Sequence, residues 1–238
     1  MPGIVGLITR IPRQQAESLL LRMTERLRHE SFYVTGTWID EELGVYVGWV
    51  ARQGSFSANM PLRDGRNESV LVFSGEDYSR CSSSAPMAVR SDGQDGPGYL
   101  LERRHDDHAF PASLNGRFQG LLIDRLRGCA LLFNDRYGMH RVYYHESADG
   151  FYFAAEAKAI LAVCPELRRV DPRGLGDLVS CGCVLENRSL FEGLKVLPPG
   201  AFTIRVTAIT FRGNHLTGTR TYHTCKKKPK KSKPKKLK

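Results

Sequence analysis

Two short runs hold most of the residues that could do chemistry. The first is the opening Pro2-Gly3-Ile4-Val5-Gly6-Leu7-Ile8. Apolar strand-forming residues begin almost at the terminus. Chain ends fray unless tied into a sheet, and glycine within a strand often marks the close approach of a ligand or of another backbone. The run reads either as an ordinary buried first strand or as a terminus that belongs to a site. On the second reading the residue after Met1 decides the chemistry, and that residue is Pro2. The second run is Ser74-Gly75-Glu76-Asp77, directly after the apolar Ser69-Val70-Leu71-Val72-Phe73. Small and acidic residues after a buried strand are common site positions, and a plain turn is the alternative. Six cysteines are spread along the chain at 81, 129, 164, 181, 183 and 225. Only Cys181 and Cys183 are close, and one Cys-x-Cys pair without a second pair or nearby histidines is a poor zinc motif. In a strand, that spacing would put both thiols on one face. Structural or incidental thiols in a reducing compartment are expected, and no metal or cofactor is.

The elements that must hold these runs follow from periodicity. Ala16, Leu19, Leu20, Met23 and Leu27 recur at three and four residues, so Gln14 to His29 reads as an amphipathic helix covering a sheet. Phe32 to Ile39 and Leu43 to Val50 are rich in aromatic and β-branched residues and read as strands. Residues 51 to 68 read as a loop, and 69 to 73 as a strand that stops at Ser74. A weakly patterned Ser-, Gly- and Asp-rich stretch covers 80 to 107, with a short helix near Tyr99 to Arg104. Strands follow at 118–122, 130–134, 142–145 and 151–154, then helices at 156–163 and 171–179. Asp171 is placed to cap the last helix, with Pro172 at its first position. Strands clustered between helices suggest α+β packing rather than βαβ units, and no repeat of 20 to 50 residues is visible.

A chain of 238 residues with 41% hydrophobic content can build a sizeable core. No apolar run reaches the roughly 18 residues of a membrane span, and no secretory leader is visible. A soluble, cytoplasmic protein is expected. The net charge of +10 is concentrated at one end: Lys226 to Lys238 contains nine lysines and no acid, which leaves +1 for the rest. This tail cannot bury a core and reads as disordered. Lysine runs bind nucleic acid by charge, but no aromatics are interleaved for stacking. A solvated tail is the plainer reading. Nucleic acid is not expected as a partner except through this tail. An interaction module that binds nucleic acid there is the alternative function.

From Leu114 onward a set of motifs accumulates. They are Leu114-Asn115-Gly116-Arg117-Phe118-Gln119-Gly120, Asp124-Arg125, and Asn134-Asp135-Arg136-Tyr137-Gly138-Met139-His140-Arg141-Val142-Tyr143-Tyr144. Phe153-Ala154-Ala155-Glu156-Ala157-Lys158, Val170-Asp171-Pro172, Ser189-Leu190-Phe191-Glu192-Gly193 and Leu197-Pro198-Pro199-Gly200 follow. In order and spacing, together with the opening Gly3-Ile4-Val5-Gly6, the chain resembles the amino-terminal glutaminase domain of asparagine synthetases. That domain is a class II glutamine amidotransferase of the N-terminal-nucleophile hydrolase type. The resemblance implies a four-layer αββα sandwich of two antiparallel sheets flanked by helices. It implies a domain over residues 1–205, a C-terminal extension over 206–225 and the lysine-rich tail over 226–238. It implies L-glutamine as ligand and a partner synthetase domain or subunit that uses ammonia. Nothing after Phe202 resembles that synthetase, and no Gly-rich phosphate loop is present. A lost domain, a shortened reading frame and a separate subunit all remain open.

In the resembled family a cysteine freed as first residue attacks the glutamine amide while its α-amine serves as base. A backbone N–H and an asparagine hold the oxyanion, and an arginine and acidic groups grip the amino acid. This chain has Pro2 at the nucleophile position, which implies loss of glutaminase activity. The oxyanion motif is Ser74-Gly75-Glu76 where the family has Asn-Gly-Glu. Arg52, in Trp49-Val50-Ala51-Arg52, is the nearest match to the arginine. No acidic residue matches around Gly96-Pro97-Gly98. The implied remnant of the glutamine pocket and oxyanion hole is therefore Arg52, Ser74, Gly75 and Glu76. Asp135, Arg136, Glu156 and Lys158 look like framework.

Overall fold

The computed structural model describes residues 2–66, 68–78, 98–106, 110–199, 203–207 and 219–221. The first sheet is built on β1 (Gly3–Thr9), which runs antiparallel between β3 (Val45–Arg52) and β9 (Gly150–Ala154). Adding β2 (Tyr33–Asp40), β8 (Tyr143–Glu146) and β10 (Lys195–Val196) gives the order β10-β8-β9-β1-β3-β2. The second sheet has the order β12-β11-β7-β6-β5-β4. Its strands are β4 (Leu62–Arg63), β5 (Ser69–Asp77), β6 (Gly116–Asp124), β7 (Cys129–Asn134), β11 (Thr203–Thr207) and β12 (Thr219–Thr221).

Every residue of β1 is buried, and the strand period explains why no polar face is needed. Ile4 and Ile8 pack between the sheets, with Val47, Trp49 and Phe153. Val5 and Leu7 point the other way, into a second core formed with Leu20, Met23 and Leu27 of α1 (Arg13–Leu27) and Ile160 of α3 (Ala157–Val163). A strand buried on both faces reads as an unbroken apolar run, as this one does. The far side of the second sheet is aromatic. Phe73, Phe118 and Phe133 lie 5.3 to 6.4 Å apart. Phe56, Phe110 and Tyr99 of α2 (Tyr99–Asp106) cover them. Such ring pairs add about 0.5–1.5 kcal/mol each beyond their buried area. Helices on the first sheet and α2 with its aromatic neighbours on the second complete an α+β sandwich of two antiparallel sheets.

One sequence expectation changes at the strand that carries Ser74. β5 does not stop at Ser74 but runs on to Asp77, because Ser74, Gly75 and Glu76 pair with Gln119, Phe118 and Arg117 of β6. Small and acidic residues look like a turn in sequence, but here a facing strand supplies their backbone partners. Cys181 closes α4 (Pro172–Cys181) and is not in a strand. It and Cys183 are exposed free thiols. The Asp171 cap is present: its Oδ1 accepts the Arg173 N–H at 2.9 Å, with Pro172 following at the first helical position. The boundary expected at 205 falls inside β11, and the lysine-rich tail lies outside the described residues.

Candidate functional site

The strand register fixes where the polar groups meet. Ser74, Gln119 and Asn134 stand side by side on β5, β6 and β7. All three are 2% exposed. Strand alternation puts them on the face opposite Phe73 and Phe133, toward the first sheet. They end the otherwise apolar inner layer at the end where β1 begins. Gln119 reaches the start of β1. A Cβ added at Gly3 would stand 2.9 Å from Gln119 Nε2 and 2.3 Å from the Ala155 Cβ, so only glycine fits that contact. Among the described residues the buried Gln119 Oε1 has no hydrogen-bond partner.

Beside this row a cavity of about 720 Å³ opens, lined in part by Pro2, Gln119, His140, Arg141, Glu156 and Lys158. That volume suits a small-molecule ligand. Glu156 and Lys158 come from the start of α3, and their side chains pair at 2.9 Å. Lys158 Nζ is also 3.3 Å from His29 Nδ1. His140 comes from the turn after β7. Asp135, fully buried, organises that turn. Its Oδ1 accepts the N–H groups of Tyr137 and Met139, both at 3.0 Å, and its Oδ2 accepts that of His140 at 2.8 Å. Burial holds the His140 imidazole below its ordinary pKa of 6.5, and the Arg117 charge adds to this; Asp135 and Glu76 act in opposition. The ring is therefore neutral at pH 7.

The four residues expected at the glutamine pocket are not gathered into this cavity. Ser74 is in the buried polar row, one strand from Gln119. Gly75 is held at φ +127°, and its N–H donates to Ser57 Oγ at 3.1 Å. That donor already has a partner inside the fold. Glu76 is exposed beyond the row and accepts from the Tyr78 hydroxyl at 2.6 Å. Arg52 ends β3 on an exposed site opposite Tyr33. Trp49 and Ala51 point between the sheets, so alternation sends Arg52 to the helix side, away from Ser74. Arg136, which the sequence groups with the framework, is exposed. The sequence reading missed Gln119 and His140 as cavity residues. Gln119 was findable: it shares its strand face with Leu121 and Ile123, so period two places an amide in an apolar layer. His140 was not, because the turn held by Asp135 is what brings it in. Among the described residues no group of three or more His, Cys, Asp or Glu side chains is arranged to hold a metal ion.

Two antiparallel sheets enclose an apolar layer, and the first residues of the central β1 border a cavity at its edge. The glutamine amidotransferase domain family matches residues 1–216, and the chain belongs to that family. It is 26% identical over 141 residues to asparagine synthetase [glutamine-hydrolyzing] 3 of Bacillus subtilis, which covers 54% of this chain and 22% of that protein. Two solved structures share the fold. One is the glutamine phosphoribosylpyrophosphate amidotransferase of B. subtilis in complex with ADP and GMP, at TM-score 0.53 and 12% identity. The other is an allosteric regulatory enzyme of purine biosynthesis, at TM-score 0.54 and 12% identity. Each alignment covers 86% of this chain and 47% of the other. The chain thus spans about a fifth of the curated relative's length and about half of these two. Among the described residues no helix is long and apolar enough to cross a membrane.

Proposed function

We propose that this chain is an amidotransferase domain of the asparagine-synthetase type that does not hydrolyse glutamine, and that it serves as a structural or glutamine-sensing module beside an ammonia-using amide synthetase. The observation that carries the reading is Pro2. It stands at the head of β1, on the cavity wall, where the resembled domains place their cysteine. Proline has no side chain that could form the acyl-enzyme bond, and among the described residues no cysteine lines the cavity with it. Cys164 is buried against the α1 and α3 side of the first sheet, and Cys181 and Cys183 lie at the end of α4. Two further features support the reading: the Gly75 N–H is engaged by Ser57, and serine replaces the asparagine at 74. The geometry favours the structural member of the pair, since Arg52 and Glu76 sit on different sheets with Arg52 turned to the helix side. The test is glutamate and ammonia release by the purified protein. None above the blank is expected, and steady turnover would refute the reading. Pro2→Cys with Ser74→Asn, produced with the cysteine as first residue, then asks how much of the site survives. Binding of L-glutamine without turnover would support sensing.

A further inference from the structure

We propose that Gln119 fills, from within the chain, the place beside position 2 that a substrate carboxamide would have to enter. The inference rests on the amidotransferase reading above and deepens it. Three observations meet at this side chain. Its carboxamide abuts the backbone of Gly3, with Nε2 2.9 Å from the Cβ position of that residue. It lines the same cavity as Pro2 while being 2% exposed. Its Oε1 is buried and, among the described residues, has no hydrogen-bond donor.

The last point separates an occupant from ordinary framework. A buried carbonyl without a donor is costly and is rarely kept by fold requirements alone. The cross-strand neighbour Asn134 shows the contrasting case: its shorter amide donates from Nδ2 to the Leu197 carbonyl at 3.3 Å and stays inside the row. Gln119 is one methylene longer and extends to the start of β1. A glutamine ligand presents the same group, a carboxamide, and two carboxamides cannot share one space next to residue 2. With Gln119 in place, the amide end of a ligand is shut out from beside residue 2.

The test compares L-glutamine with L-2-aminobutyrate, which keeps the amino-acid end and lacks the carboxamide. Binding is measured by calorimetry to the full chain and to Gln119→Ala. The wild-type chain is expected to bind the two equally weakly. Gln119→Ala should gain at least about tenfold for glutamine alone. A folded Gln119→Ala with no gain, or with the same gain for both ligands, overturns the proposal. A second measurement needs no variant. The Gln119 side-chain amide protons of the wild-type chain should exchange slowly and keep their NMR positions as glutamine is added. Fast exchange, or displacement of those signals by glutamine, overturns it. Neither readout depends on turnover, so glutamine hydrolysis by the wild-type chain would defeat the functional reading separately.

Discussion

Replacing Asp135 tests whether the turn beside the cavity is organised as the structure indicates. The carboxylate is fully buried and accepts three backbone N–H groups, from Tyr137, Met139 and His140, at 2.8 to 3.0 Å. Asp135→Ala removes all three acceptors. Tyr137 and Met139 are exposed, at 72% and 59%, so water can take over at their amides and each loss is about 1 kcal/mol. The His140 amide lies in the half-buried part of the turn and stays poorly hydrated, a loss of about 2 kcal/mol. The sum is about 4 kcal/mol. At roughly 2–4 °C per kcal/mol for a chain of this size, the melting temperature should fall by about 8–16 °C. Asp135→Asn keeps one oxygen, enough for the paired bonds to Tyr137 and Met139, but turns an N–H₂ toward the His140 amide. It should lose about 2 kcal/mol. Urea unfolding of the three proteins, with equal m-values, measures both differences. An alanine variant within 1 kcal/mol of wild type would refute the reasoning, as would an asparagine variant no better than alanine.

Other consequences follow from single residues. Gly75→Ala should destabilise by about 2–3 kcal/mol, because at φ +127° the added Cβ would stand 2.1 Å from the Arg117 carbonyl oxygen; a neutral substitution in urea unfolding would contradict this. The Cys164 thiol is pushed up from 9.0 to about 11, by burial first and the nearby Glu166 second. It should react with a disulfide reagent at pH 8 only after unfolding, while exposed Cys181 and Cys183 react at once, and equal rates would refute this. Because its folded value lies above the unfolded one, the stability from keeping it protonated is present below about 9 and is lost as pH rises toward about 11. His140 has the opposite sign. Its folded pKa lies below 6.5, so its contribution is present above 6.5 and is lost as pH falls through the folded value. An NMR titration with a midpoint at or above 6.5 would refute the assignment, and Arg117→Ala should move the midpoint upward.

Much of the fold was legible because it rests on local periodicity. The period of Ala16, Leu20, Met23 and Leu27 marks α1, and Asp171-Pro172 marks the start of α4. The strand-rich middle of the chain shows its elements within a few residues. What stayed hidden depends on partners distant in sequence. β5 extends through Ser74-Gly75-Glu76 only because β6, more than forty residues on, offers Arg117 to Gln119 as backbone partners. The placement of Arg52 depends on the parity of β3, fixed by pairing with β1: Val50 opposite Gly3 sets which residues look between the sheets. A motif match can nominate Arg52, but register decides which way it points.

The same register explains how residue 2 can change while the sandwich stays intact. Pairing of β1 begins at Gly3, opposite Val50, so Pro2 lies just before the first residue of the ladder. Proline is harmful in a sheet chiefly because it removes a ladder hydrogen bond, and here it removes none. Gly3, one residue later, has no such freedom: any Cβ would collide with Ala155 and crowd Gln119. The fold therefore constrains position 3 tightly and position 2 hardly at all. On the proposed reading residue 2 is set by chemistry, and a nucleophile there can be exchanged without disturbing β1. By the same argument Pro2→Cys removes no contact the sheet needs, and its stability should match wild type. Any failure of that variant to hydrolyse glutamine then reports on Gln119, Ser74 and the engaged Gly75 amide rather than on a damaged fold.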